Sequence, residues 1–226
     1  QRRFNVSANG SPLLLDFDVV AAGGAGQKIV REFPVTAGSS IRAHINSTTT
    51  ALAYLLAVPN VTVTAPKDGA EMLALLKTAL THEAGPFSLR YPRDVVPAPV
   101  PATNEIAPVP FGTWEVLRQG SELAILAVGT MVGTSLQAAE RLAADGLDVT
   151  VVNCRFLKPH DEVTLAAILA HHRQILVVEE GTMINGFGAY ISAVIERQEP
   201  AVRVHTHGVP DRIIHAAARS RQLAML

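Results

Sequence analysis

"ELAILAVGTMVGTSLQAAERLAADGLDVTVVNCR", residues 122–155, reads as strand, helix, strand. The runs 122–129 and 148–155 are apolar almost without alternation, whereas 134–146 repeats its apolar residues at helical spacing. Strands of that kind are buried on both faces, and a helix joining two of them sets them parallel. The same rhythm continues with a helix over 161–172, a strand over 174–180, a helix over 188–198, a strand over 201–209 and a last helical stretch, "RIIHAAARSRQL". The predicted fold class is therefore α/β, with a parallel-sheet C-terminal domain over 114–226.

Upstream the pattern is shorter. "VTVTAP" (61–66) predicts a strand, Asp68 caps a helix beginning at Gly69, and "PFSLRYP" (86–92) predicts another strand, so 51–93 is a partial α/β segment. Residues 94–113 are rich in proline, which supplies no amide donor and stiffens the chain, and read as a linker. Residues 1–50 place turn residues between β-prone runs and predict a β-rich segment without helices.

Bulk properties exclude several functions. Net charge is −1 and aromatic residues make up 5%, which leaves no electrostatic or stacking footprint for nucleic acid or an anionic membrane. Cys154, the single cysteine, forms no internal disulfide, in keeping with a reducing compartment. With no leader pattern and no long apolar run, the expectation is a soluble, cytoplasmic protein.

"VVEEGTMINGFGAYI" (177–191) brings two adjacent carboxylates, Glu179 and Glu180, to a strand end ahead of Gly181, Gly186 and Gly188. Neighbours on a strand point to opposite faces, so the two are not a facing acid/base pair, and the corner reads as structural. In "KPHDE" Asp161 is a helix N-cap, and Lys158 and His160 belong to the turn before it. His171 and His172 end a helix; His205 and His207 share a strand face without a third ligand at suitable spacing, so no metal site is predicted. Asp16 and Asp18 suit either sugar hydroxyls or the outward face of a strand.

"APKDGAEM" (65–72), "RYPRD" (90–94), "RFLKPHDE" (155–162), the 177–191 stretch and "HGVPDRIIH" (207–215) occur in that order. Together they resemble the last part of the 1-deoxy-D-xylulose-5-phosphate synthase family of the transketolase superfamily, from about residue 52 onward. The resemblance implies the end of a pyrimidine-binding domain, a linker and a transketolase C-terminal domain. It also implies an enzyme that condenses pyruvate with glyceraldehyde 3-phosphate, using thiamine diphosphate and Mg²⁺. Arg93, the last arginine of "RYPR", is implied as the substrate-phosphate ligand, with Arg90 as the alternative; Asp94 stands where the family has glycine. Leucine is usual at His160, and a second glycine at Asn185.

The diphosphate-binding pattern and the stretch carrying the cofactor-activating glutamate are not found, so no catalytic, cofactor-binding or metal-binding residue is assigned. The expectation is a fragment inactive alone, acting as a homodimer or with a chain supplying the missing domains, in the cytoplasm or in a plastid if the source is a plant. Residues 1–50 resemble part of a malectin-type carbohydrate-binding domain through "FNVSANGSPLLLDFD". That leaves a second reading, a non-catalytic carbohydrate-binding or dimerisation module.

Overall fold

The computed structural model describes residues 3–8, 11–18, 51–92, 105–211, 221 and 223. At its start β1 (Arg3–Ala8) and β2 (Ser11–Asp18) pair antiparallel. Then follow α1 (Ala51–Ala57), β3 (Thr62–Thr64), α2 (Gly69–Thr81) and β4 (Phe87–Leu89). The remainder holds β5 (Glu115–Arg118), β6 (Leu123–Ala127), α3 (Met131–Ala144), β7 (Val149–Asn153), β8 (Phe156–Lys158), α4 (Glu162–His171), β9 (Gln174–Thr182), α5 (Phe187–Gln198) and β10 (Arg203–Val209).

The central sheet has the order β10-β9-β6-β7-β5, parallel throughout except at β5, which runs antiparallel to β7. Its strands alternate between two apolar cores. Ala124, Leu126, Val152, Ile175 and Val177 face one, where α4 adds Leu165, Ile168 and Leu169 and α5 adds Phe187, Ile191, Val194 and Ile195. Ile125, Ala127, Val149, Val151 and Val178 face the other, closed by Met131, Val132 and Ala139 of α3. Both faces are covered by helices, which is why the strands carry uninterrupted apolar runs.

The upstream segment belongs to the same body. β3 pairs parallel with β4 and antiparallel with β8, making a three-stranded sheet from both sides of the linker. Val61, Val63, Ala74 and Leu75 join the core that holds Phe156 and Phe187. The described end of the proline-rich stretch packs on α2 instead of spanning open solvent. Lys77 Nζ donates to the Ile106 carbonyl at 2.5 Å, Thr78 Oγ1 donates to the Val109 carbonyl at 2.7 Å, and Val109 is buried.

Sequence periodicity finds the regular elements but not α1, β5 or β8. The last two are short and lie at the antiparallel margins, where no strand–helix rhythm announces them. Helix α3 begins at Met131, three residues before the periodicity suggests. The Arg93 position, the end of "DRIIH" and most of residues 1–50 lie outside the described residues.

Asp161 ties these parts together. It caps α4 by accepting the Thr164 N–H at 2.9 Å, and its other oxygen accepts the buried Trp114 N–H at 2.8 Å, holding the entry to β5 against α4. Trp114 Nε1–H donates to the Phe156 carbonyl of β8 at 2.7 Å. Burial works to raise the Asp161 pKa, but the N–H groups of Thr164 and Trp114 and the Thr164 hydroxyl hold it below the usual carboxylate range. A carboxyl with a lower pKa in the fold stabilises it above the unfolded value, about 3.9, and that contribution disappears as pH falls through the folded value. Asp161→Ala is expected to cost about 2 kcal/mol at neutral pH. In urea unfolding curves the gap from the wild type should narrow below about pH 4; a gap independent of pH would refute the assignment.

Candidate functional site

Strand β9 delivers Glu179 to the sheet's carboxyl end, the region where open α/β sheets hold ligands. Glu179 is 2% exposed, and its carboxylate occupies the N-terminus of α5. Oε1 accepts the Gly188 N–H at 2.7 Å and Oε2 accepts the Phe187 N–H at 3.1 Å. The N-cap residue, Gly186, has no side chain to offer, so a carboxylate from the preceding strand satisfies the orphan donors.

The glycines make this approach possible. A Cβ at Gly181 or Gly186 would collide with the Glu179 carboxylate. At Gly188 it would lie 2.9 Å from Thr206 Cγ2, and at Gly208 2.8 Å from the Gly181 carbonyl. Asn185 takes φ 58°, the left-handed conformation asparagine tolerates best after glycine. Glu180 points the opposite way and accepts the Thr130 hydroxyl at 2.8 Å. The corner is thus an anion cradle filled by the chain's own carboxylate, and the two glutamates do not act as a pair. Burial raises the Glu179 pKa, and the Gly188 and Phe187 N–H groups and the charge of Arg90 only partly offset it.

Arg90 follows β4, its N–H donating to the Thr64 carbonyl at 2.9 Å. Burial lowers the pKa of its half-buried guanidinium, and the Glu179 charge opposes that effect. Arg93, the implied phosphate ligand, is not among the described residues, so Arg90 is the arginine of "RYPR" whose surroundings are defined.

A second polar cluster joins α2 to the central sheet. Glu71, 5% exposed, accepts the Lys67 N–H at 2.7 Å and the Asn153 Nδ2–H at 2.7 Å, with Arg155 Nη1 at 3.6 Å. Lys67 Nζ also reaches Glu115 at 2.8 Å. Burial opposes the Lys67 charge, but Glu115 and Glu71 outweigh it and raise the pKa; Glu115 is lowered, against its own burial, by Lys67 and Asn153. Lys67, Asp68, Glu71 and Arg155 line a cavity of about 230 Å³ with Ile106 and Val109. Sequence reading found the Asp68 cap but not this cluster. The available signals were Glu71 three residues after the cap, a capping-box spacing, and Asn153 inside an apolar strand.

His160 Nδ1 lies 2.8 Å from the Tyr190 hydroxyl, and burial lowers its pKa. His172 is buried, with Nε2 3.0 Å from Thr150 Oγ1 and from the Gly120 carbonyl. Cys154 is fully buried, and burial pushes its thiol pKa well up, away from nucleophilic use. His205 and His207 are exposed on β10. Among the described residues no three His, Cys, Asp or Glu side chains converge as a metal site would require.

Comparison with known proteins agrees with this architecture. The transketolase C-terminal domain matches residues 112–226, just over half of the chain, and the transketolase pyrimidine-binding domain matches residues 18–99. The chain belongs to the transketolase family. Curated relatives named 1-deoxy-D-xylulose-5-phosphate synthase include that of Lysinibacillus sphaericus, 38% identical over 72% of this chain and 27% of the relative. The relative from Geobacillus thermodenitrificans is 41% identical over 76% of this chain and 27% of its own length. The chain therefore spans about a quarter of these relatives. A solved structure titled split-gene transketolase, inactive β4 tetramer, superposes with a TM-score of 0.70 at 28% identity, covering 79% of this chain and 57% of that one. The pyrimidine-binding match reaches back to residue 18, across most of the segment likened to a malectin-type domain, a likeness these comparisons do not support.

Within this transketolase-family corner, Gly186→Ala is expected to cost about 2–4 kcal/mol, because its Cβ would meet the Thr182 backbone carbonyl as well as the Glu179 carboxylate. A methyl group on Gly133 of α3 would meet nothing within 4 Å, and Gly133→Ala should be neutral or stabilising by about 0.5 kcal/mol. Thermal unfolding of both variants checks the contrast, and equal effects would refute the close packing at Gly186.

Proposed function

We propose that this chain is the C-terminal part of a 1-deoxy-D-xylulose-5-phosphate synthase system, condensing pyruvate with glyceraldehyde 3-phosphate at the start of isoprenoid precursor synthesis. The observation carrying this reading is the succession of a pyrimidine-binding segment and a C-terminal domain at 38–42% identity to enzymes of that name. In this reading 51–93 ends the pyrimidine-binding domain, 94–113 links it to the domain over 114–226, and Arg93 holds the substrate phosphate. The chain works as a homodimer or with a polypeptide that supplies the rest of the relatives' length, in the cytoplasm or a plastid. No helix among the described residues is long and apolar enough to cross a membrane.

The described residues do not fit thiamine diphosphate with its metal. Glu179 is committed to the α5 N-terminus, and Glu71 and Glu115 are shared by Lys67 and Asn153. No converging carboxylate set is left among them to bind a metal-bridged diphosphate. The segment is therefore proposed to be inactive alone, and its contribution is scaffold, subunit contact and the arginine-bearing strand end.

Calorimetric titration of the purified chain with thiamine diphosphate and Mg²⁺ should show no saturable heat. Mixing the chain with a polypeptide that carries the remaining domains should produce cofactor-dependent CO₂ release from pyruvate, and Arg93→Ala should raise KM for the phosphorylated acceptor about ten-fold or more. Saturable cofactor binding by the chain alone would overturn the misfit, and a mixture that assembles but stays inactive would overturn the reading.

A further inference from the structure

The sequence contains two Asn-Gly pairs, at 9–10 and 185–186, and the second lies among the described residues. Asn185 is exposed at the tip between β9 and α5, beside the exposed Met183 and Ile184. Its side-chain amide makes no hydrogen bond to the described residues. The peptide group that joins it to Gly186 is unbonded at both ends, since neither the Asn185 carbonyl nor the Gly186 N–H has a partner among them. The flanks hold the corner instead. Met183 N–H donates to the Val209 carbonyl at 2.9 Å, and the Phe187 and Gly188 N–H groups rest on Glu179.

An asparagine side-chain amide is open to attack by the backbone nitrogen of the next residue when the peptide plane between them is free to turn. A following glycine puts no side chain in the way. Asn185 meets both conditions. Asn60 supplies an internal contrast: it is exposed and left-handed as well, with φ 61° against 58° for Asn185, but a buried, β-branched Val61 follows it. Asn153 is fully buried and its amide is held by Glu71. The glycine usual at position 185 in the resembled family has no amide to lose, so the chemistry belongs to this chain and not to the family.

We propose that Asn185 is a self-modification site, at which the folded chain loses the side-chain amide to the Gly186 nitrogen through a cyclic imide that water opens to aspartate or isoaspartate. The Gly186 nitrogen gives its proton to water and bonds to Asn185 Cγ. The Cγ–Nδ2 bond breaks, and the leaving nitrogen takes up a proton and departs as ammonia. Water then adds to one ring carbonyl and breaks its bond to the Gly186 nitrogen. Addition at Cγ restores the ordinary main chain as aspartate; addition at the main-chain carbonyl leaves isoaspartate. One water is consumed, one ammonia is released, and nothing is oxidised or reduced.

The position gives the reaction a consequence. Either product sets a new carboxylate beside the α5 N-terminus, whose donors already hold Glu179, and a like charge there disfavours ionised Glu179. Isoaspartate also adds a methylene to the main chain just ahead of the N-cap, Gly186, and so shifts the N–H groups that the Glu179 carboxylate needs.

The full chain is kept folded in mildly alkaline buffer, and its peptides are followed over days by mass spectrometry. Conversion of amide to acid at 185, with isoaspartate among the products, should run about ten-fold or more faster than at Asn60 and should quicken as pH rises. The converted chain, separated by ion exchange, should unfold about 2–4 °C below the unconverted one. Asn185→Gly should remove both the conversion and the loss of Tm; should that variant fail to fold, the comparison with Asn60 decides within the wild-type chain. Conversion at 185 in urea but not in the folded chain, equal rates at 185 and 60, or aspartate without isoaspartate would each overturn the proposal. An unchanged Tm after conversion would overturn its coupling to the Glu179 cradle.

Discussion

A buried carboxylate must be neutralised where it sits, and Glu179 meets that requirement by turning a helix terminus into its solvation shell. From this one interaction the surrounding backbone follows. Helix α5 starts where its first free N–H groups can reach Oε1 and Oε2. Glycine is needed at 181 because a Cβ there would displace the carboxylate, at 186 because the Thr182 carbonyl and the carboxylate both close in, and at 188 and 208 because the neighbouring backbone and Thr206 press in. β9 and β10 stay in parallel register up to His207, and the register shifts only beyond it, where the chain turns past the cradle. The glycine-rich corner, which reads from sequence as structural, is an anion cradle filled by the chain's own carboxylate.

The body around it is held by charge as well as by apolar packing. The segment matched by the pyrimidine-binding domain and the one matched by the C-terminal domain share one core, with Val63 and Leu75 packed in the cluster of Phe156 and Phe187. At the polar margin of that core, Lys67 and Glu71 from the first segment meet Glu115, Asn153 and Arg155 from the second. A partly buried ion cluster contributes little net stability against an apolar replacement, but it penalises any other register, because a shifted strand would leave the buried Glu71 charge alone. The cluster therefore specifies how the two segments meet more than it strengthens their meeting.

Much of this was legible in the residues. Strands with no polar interruption announce a sheet covered on both faces, and the helices between them announce parallel order. Asp161 as a cap and the opposite orientation of Glu179 and Glu180 follow from local geometry, which needs no knowledge of the tertiary fold. What escaped depends on contacts distant in sequence. Strand β8 is three residues long and exists because β3, some ninety residues earlier, offers it an edge. Lys67 and Glu115 are 48 residues apart, and neither is unusual until the sheet brings them to 2.8 Å. The phosphate role of Arg93 came from resemblance alone and remains a proposal.

The two arginines of "RYPR" show why the same motif supports both a structural and a binding reading. A strand of three residues ends at Leu89, and Arg90 is the first side chain beyond the ladder, with its own N–H still bonded to β3. That bond fixes the backbone, and the guanidinium makes no hydrogen bond to the described residues. Nearby Glu179 could have supplied one, yet the helix N-terminus claims its oxygens. The consequence is a half-buried guanidinium at a sheet edge on which the Glu179 charge acts, with none of its nitrogens both buried and unpaired.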